Sequence, residues 1–412
     1  MLAHVISRAY PLLGEVFAGQ ANRTVGYVSG EGAELGEAFA VLTRIHEAFT
    51  TVHDFESRCN IWYEEWTQTA QYVAGLAEIS LAHGQSQSAR QGFIRGAEYY
   101  RQGVFFKRAS IKNLQWIEGY KQSYACFDRA MGVGNGWVGK PLNIPYRSST
   151  TSSAELTGRL LIPTTKAVGN ICVILPGGYD STISEMYSST AVGALRRGYS
   201  AYLFDGPGQG LALLNGHFMQ HDFEVVLKCV LDHLDEHFGV NKHRYVLVGR
   251  SFGGYLVPRG LTTNSDRIAA AVVDPGQLEL VTPEKIAQFL ENQAQKKVKP
   301  AEASNEAAES AFFWQSRCTV HGKQSQRELF DVLREYSSRG KLGNVKCPVL
   351  VFDNPVDTRS NRGTPLYEEL VTPIKKLYTF DPRDGATDHC ESGASASFER
   401  VVFDWLGETL SV

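Results

Sequence analysis

From about residue 144 onward, short apolar runs alternate with stretches of helical period, and this alternation restricts the possible folds more than any other feature of the chain. The runs are 156–162, 171–175, 201–204, 245–248, 269–273, 349–352 and 377–380, each followed by a loop. Runs this short and this uniformly apolar suit strands covered on both faces, and the helical stretches between them supply the crossovers that parallel strands require. The expected class is α/β: a mostly parallel sheet with helices on both faces, closed by a C-terminal helix near residues 396–406.

Before residue 142 the texture differs. Apolar residues recur at three- and four-residue spacings, as in Ala38, Leu42, Ile45 and Phe49, with little two-residue alternation. The expectation is an N-terminal helical cap over residues 1–142, ending at the loop-rich Gly132-Val133-Gly134-Asn135-Gly136, and a second domain over 143–412. Aromatics cluster at Trp62-Tyr63 with Trp66, at Tyr99-Tyr100 and at Phe105-Phe106. Their prevalent use is to weld helices together rather than to line a pocket. A polar, helix-prone stretch at about 276–345, including 291–299 and 301–311, reads as an insertion. Its Phe312-Phe313-Trp314 either folds over a site as a lid or docks on the sheet's helices.

The 412 residues are 43% hydrophobic, enough for a large core, and a net charge of −3 without a basic run argues against a nucleic-acid partner. Seven scattered cysteines with no CxxC favour reduced thiols. No apolar stretch is long enough for a membrane span, and no clear leader pattern opens the chain. A cytoplasmic protein with no membrane partner is expected, acting on a small molecule. Its oligomeric state is left open, a homodimer included.

Gly249-Arg250-Ser251-Phe252-Gly253 matches G-x-S-x-G. In a chain with 39 glycines the bare pattern arises by chance about 0.3 times, so its setting decides: it follows the strand 245–248 and precedes a helix-compatible stretch, as a nucleophile elbow does. A serine hydroxyl needs a base within hydrogen-bond reach and a carboxylate to orient that base. Only His321 and His389 follow Ser251. His389, after the last strand, fits the order Ser, acid, His, whereas His321 would have to reach in from the insertion. Asp357, in the loop after strand 349–352, is the favoured acid. Asp274, at the end of strand 269–273, is the rival, and Asp353 reads as structural.

An oxyanion needs backbone N–H donors. Phe252 supplies one, and Gly178 or Tyr179, in Pro176-Gly177-Gly178-Tyr179-Asp180-Ser181, the other, with Asp180 tying that loop down. Asp205-Gly206-Pro207-Gly208-Gln209-Gly210 lacks the Lys-Ser/Thr of a phosphate loop and reads as a tight turn at the pocket edge. His217 with His221, and Asp232-His233 with Glu236-His237, lack an HExxH setting and read as structural. No metal or cofactor is expected.

With these motifs the chain resembles the α/β-hydrolase superfamily. More narrowly, it is similar to the branch with a helical N-terminal domain that includes fungal polyketide-cluster hydrolases of the fusarin type and dihydroxypseudooxynicotine hydrolase. One departure is Pro176, where that family often has a histidine. The resemblance implies a serine-type hydrolase acting on a bulky ketonic, ester or amide substrate, a polyketide or polyketide–peptide intermediate, through an acyl-enzyme or C–C bond hydrolysis. A cyclase using the same pocket and a non-catalytic binding protein are the alternatives, separated from it by product mass and by active-site labelling.

Overall fold

The computed structural model describes residues 2–133, 136–147, 154–164, 168–239, 243–282, 284–288, 291, 305–357 and 362–412. The helical periodicity of the first part becomes α1 (Leu2–Ala9), α2 (Gly14–Gly26), α3 (Leu35–Ala48), α4 (Phe55–Ala82), α5 (Ser86–Gly103) and α6 (Leu114–Val133). Asp54 starts the long α4 by accepting from the Ser57 amide at 2.8 Å, which satisfies one of the free N–H groups of the first turn. The aromatic clusters do weld these helices. Phe17 meets Phe106 at 4.5 Å and Trp62 at 5.4 Å between ring centres, Trp62 meets Trp66 at 5.7 Å, and the Trp62 indole donates to the Gln102 carbonyl.

The strands are β1 (Trp137–Pro141), β2 (Ile144–Tyr146), β3 (Ala154–Leu156), β4 (Gly158–Pro163), β5 (Ile171–Pro176), β6 (Ser200–Phe204), β7 (Arg244–Arg250), β8 (Ile268–Asp274), β9 (Val349–Phe352) and β10 (Lys375–Tyr378). Eight of them form one sheet in the order β1-β4-β6-β5-β7-β8-β9-β10, and β2 pairs with β3 in a separate ribbon. Within this sheet the contacts β1–β4 and β4–β6 are antiparallel and the others parallel, and β7 lies in the interior between β5 and β8.

Successive side chains of each strand enter different cores. Val246 and Val248 share a cluster with Val173, Leu203, Val272 and Leu350 and, through it, with the aromatics of α2 and α4. Tyr245 and Leu247 face the other cluster, with helices Phe223–Phe238 and Gly253–Asn264. Most apolar residues of the N-terminal helices therefore pack on one face of the sheet, while Trp116 and Tyr120 of α6 join the other cluster.

Two strand expectations shift. The run 156–162 divides at Thr157, whose carbonyl accepts from the Asp205 amide at 2.9 Å, so Leu156 belongs to the ribbon and Gly158–Pro163 to the sheet. The last strand is Lys375–Tyr378 instead of 377–380, because its register is set by pairing Lys375 with Val349 and Tyr378 with Phe352 rather than by its own apolar residues. Of the insertion, residues 292–304 lie outside the described residues. Helices Asn305–Val320 and Gln326–Leu333 follow β8 and precede β9.

Candidate active site

The chain turns sharply between β7 and helix Gly253–Asn264, and Ser251 sits at the turn with φ = 56°, a left-handed conformation that costs a non-glycine residue about 1–3 kcal/mol. The motif's glycines make the turn possible. A Cβ on Gly249 would collide with the Gly253 carbonyl, and one on Gly253 would press on the carbonyl of Pro176. The strain is held by hydrogen bonds from outside the turn. The Ser251 amide donates to the Asp274 carbonyl at 2.7 Å, and Gln277 Nε2 donates to the Ser251 carbonyl at 2.6 Å.

His389 stands between the serine and a carboxylate: its Nε2 is 2.8 Å from Ser251 Oγ and its Nδ1 2.6 Å from Asp357 Oδ2. The Asp357 side chain is 3% exposed and the His389 ring 20%, so the carboxylate is shielded while the imidazole still meets the cavity. With Nδ1–H donated to Asp357, Nε2 is left to accept from the serine hydroxyl. The other candidates lie elsewhere. Asp353 is gripped by Arg362, the Gly363 amide and Thr364, and its carboxyl is held below the usual range first by the Arg362 hydrogen bond. Asp274 bonds to Arg250 at 2.9 Å. His321 is 4% exposed and lies against two tyrosines, where burial, then Arg317 and Lys323, push it down to about 3, so the ring is neutral.

The loop after β5 approaches the serine closely. A Cβ on Gly178 would fall 3.1 Å from that of Ser251. The Gly178 amide is already donated to Ser181 Oγ at 2.8 Å, while the amides of Phe252 and Tyr179 have no hydrogen-bond partner among the described residues. The Tyr179 hydroxyl is hydrogen-bonded to His321 Nε2, and the Arg317 guanidinium lies 4.0 Å from the centre of its ring. Asp180 accepts from Arg108 and, at 3.0 Å, from Arg317, with Arg23 at 3.9 Å. Burial pushes the Asp180 carboxyl up, but these guanidiniums outweigh it and hold the group well below the usual range. Sequence reasoning anticipated that Asp180 anchors the loop but not which arginines hold it, since two of them lie 72 and 137 residues away.

The Asp205–Gly210 loop is not at the cavity wall. It stands behind the loop after β5, where Gln209 Nε2 donates to the carbonyls of Gly177 at 2.6 Å and Gly178 at 2.8 Å. Burial pushes the Asp205 carboxyl up to about 6.

Ser251 and His389 open into a cavity of about 700 Å³. Asn22 and Arg23 of α2, with Tyr27 just past its end, form one wall. Phe313 and Trp314 of helix Asn305–Val320, with Phe330 and Leu333 of Gln326–Leu333, form the other. Phe105 also reaches it, alone among the aromatic clusters of the N-terminal helices, and Phe312 packs in the core against Phe55 and Phe106. The Phe312-Phe313-Trp314 segment thus docks with one ring and lines the cavity with two.

Three similarities bear on this arrangement. The chain is 30% identical to hydrolase LUC6 of a Fusarium species and 29% identical to the 20-hydroxy-prefusarin hydrolase FUS2 of Gibberella moniliformis, in each case over 95% of both chains. The crystal structure of 2,6-dihydroxy-pseudo-oxynicotine hydrolase superposes with a TM-score of 0.70 over 93% of this chain and 95% of its own, at 18% identity, and so shares the fold. Residues 172–392, from β5 through the histidine loop, match the alpha/beta hydrolase family, and the chain belongs to that family.

Proposed function

We propose that this protein is a serine hydrolase that processes a bulky ketonic, ester or amide substrate, a polyketide or polyketide–peptide intermediate of secondary metabolism. The observation that carries the reading is His389 hydrogen-bonded to both Ser251 and Asp357 at the mouth of a cavity large enough to enclose a drug-sized molecule. The substrate class rests on the similarity to fungal hydrolases, one of them named for 20-hydroxy-prefusarin.

In this reading Ser251 Oγ attacks the carbonyl carbon as His389 Nε2 takes its proton, and Asp357 holds the imidazole and stabilises the imidazolium. The Phe252 and Tyr179 amides receive the developing oxyanion. Gly178 supports the loop through Ser181 instead of donating to the substrate. As the tetrahedral intermediate collapses, His389 returns the proton to the leaving alcohol, amine or, for a C–C bond, enolate carbon. Water, deprotonated by the same histidine, then releases the acyl group. Arg23 and Arg317 reach the cavity already paired to acids, so they shape it without adding an unpaired charge.

Labelling with a fluorophosphonate probe tests the reading. The wild type is expected to be modified at Ser251, Ser251→Ala not at all, and His389→Ala at least about a hundredfold more slowly. Labelling that is indifferent to His389 would refute the mechanism.

A further inference from the structure

The loop that carries His389 is strained in the same sense as the elbow it faces. Cys390 has φ = 51° and Glu391 φ = 46°, left-handed conformations adopted in succession by two side-chain-bearing residues. Such strain persists only where surrounding contacts over-determine it, and here the contacts converge on Glu391. It is 1% exposed, and its carboxyl shares the Arg250 guanidinium with the equally buried carboxyl of Asp274, the residue that ends β8. Arg250, the residue before the nucleophile, spans the pair. Its Nε donates to Asp274 Oδ2 at 2.9 Å and its Nη2 to Glu391 Oε2 at 3.3 Å, while Nη2 also reaches the Cys390 carbonyl and Nη1 the Ser189 carbonyl at 3.0 Å.

Two carboxylates and one guanidinium in a dry site would leave an uncompensated negative charge. Asp274 Oδ1 and Glu391 Oε1 are buried and have no hydrogen-bond partner among the described residues, which leaves one oxygen on each acid for a proton between them. Burial first, then Asp274, pushes the Glu391 carboxyl well above the usual carboxylate range despite Arg250. The charged and titratable groups facing it are Asp274 on β8, Arg250 on β7 and Cys390 on its own loop, with Asp357 beyond Cys390.

We propose that Glu391 is a positioning residue for His389: as a neutral carboxylic acid it donates to Asp274 and accepts from Arg250, clamping the histidine loop onto the elbow. The clamp joins both reacting side chains through one strand end, because the Asp274 carbonyl receives the Ser251 amide and the Cys390 thiol while its carboxyl shares Arg250 with Glu391. The proposal rests on Ser251 and His389 acting together as described above. It adds that their separation is set by a buried acid pair.

The test is the rate of fluorophosphonate labelling at Ser251 for the wild type, Glu391→Gln and Glu391→Ala, from about pH 6 to about pH 10, with melting temperatures and Ser251→Ala as the labelling control. Glutamine keeps a donor for Asp274 and an acceptor for Arg250, so Glu391→Gln is expected within about threefold of the wild type near neutral pH, and Glu391→Ala at least about tenfold slower. Ionisation of Glu391 beside Asp274 is expected to slow the wild type at alkaline pH, and Glu391→Gln to lack that loss. Glu391→Gln falling as far as alanine, an alkaline loss that persists in Glu391→Gln, or full rate in Glu391→Ala would overturn the clamp. Should Glu391→Ala fail to fold, the alkaline comparison of wild type with Glu391→Gln decides alone. A wild type that resists labelling altogether would instead overturn the serine mechanism, and the clamp with it.

Discussion

The hydroxyl of Tyr179, in the loop beside Ser251, is hydrogen-bonded to Nε2 of His321, which lies 142 residues further along the chain at the end of the insertion's helix. On its far side His321 Nδ1 is 3.2 Å from the Tyr336 hydroxyl, so the neutral imidazole joins two tyrosines. The insertion therefore supports the loop after β5 as well as walling the cavity.

Replacing His321 by alanine is expected to loosen the Tyr179 amide without removing it. Complete loss of an oxyanion donor costs about 10²–10³ in turnover, so a loosened one is expected to cost about tenfold in kcat with KM for a p-nitrophenyl ester nearly unchanged. Steady-state kinetics check this, and a pure KM effect would count against it.

The same residue makes stability depend on pH. His321 is pushed down to about 3 in the fold, chiefly by burial, against about 6.5 in the unfolded chain. Between those values the unfolded chain holds the extra proton, so this contribution is complete above about 6.5. It is lost as pH falls, by up to about 1.4 kcal/mol per unit. Asp205, pushed up to about 6, works in the opposite direction in part of this window. The comparison must therefore be made against His321→Gln, whose urea-unfolding stability is expected to fall less steeply than the wild type's between about pH 6.5 and pH 4.5.

Asp357 and Asp353 are four residues apart in sequence and differ in what they touch. Asp357→Asn is expected to lower ester turnover by about 10⁴ with little change in melting temperature, since an amide cannot hold the imidazole in its working tautomer. Asp353→Asn is expected to do the reverse. It loses the paired Arg362 contacts and some stability while Ser251 keeps its base. Turnover and thermal melts on the two variants distinguish them.

Asp180→Asn would leave Arg108, Arg317 and Arg23 facing a neutral group. Removing one partner from a buried ion pair costs about 3–5 kcal/mol, and a loss at the lower end is expected here because Arg317 is partly exposed. Chemical denaturation measures it. A change below about 1 kcal/mol would mean that the arginines find other partners.

What the sequence determined by itself is what local chemistry dictates. Glycines at 249 and 253 around a serine after an apolar run announce a tight strand-to-helix turn, and the apolar runs announce a parallel sheet because each is too short and too uniformly apolar for a surface helix. Chain order likewise singled out His389 over His321. The last strand escaped by two residues because an edge strand takes its bounds from its neighbour's hydrogen bonds, which composition does not carry.

Only the tertiary structure decided which aspartate meets the histidine, that Gly178 is engaged by Ser181 while the Tyr179 amide stays open, and that Asp180 sits among three arginines. Asp274 and Asp357 both end or follow a strand, and nothing local separates them. What separates them is that Arg250 and Glu391 enclose one at the end of β8 while the loop after β9 carries the other to the imidazole. Some of these contacts join residues more than a hundred positions apart, as Arg250 with Glu391 and Arg317 with Asp180 do, and are created by the packing of the sheet, the N-terminal helices and the insertion around one cavity.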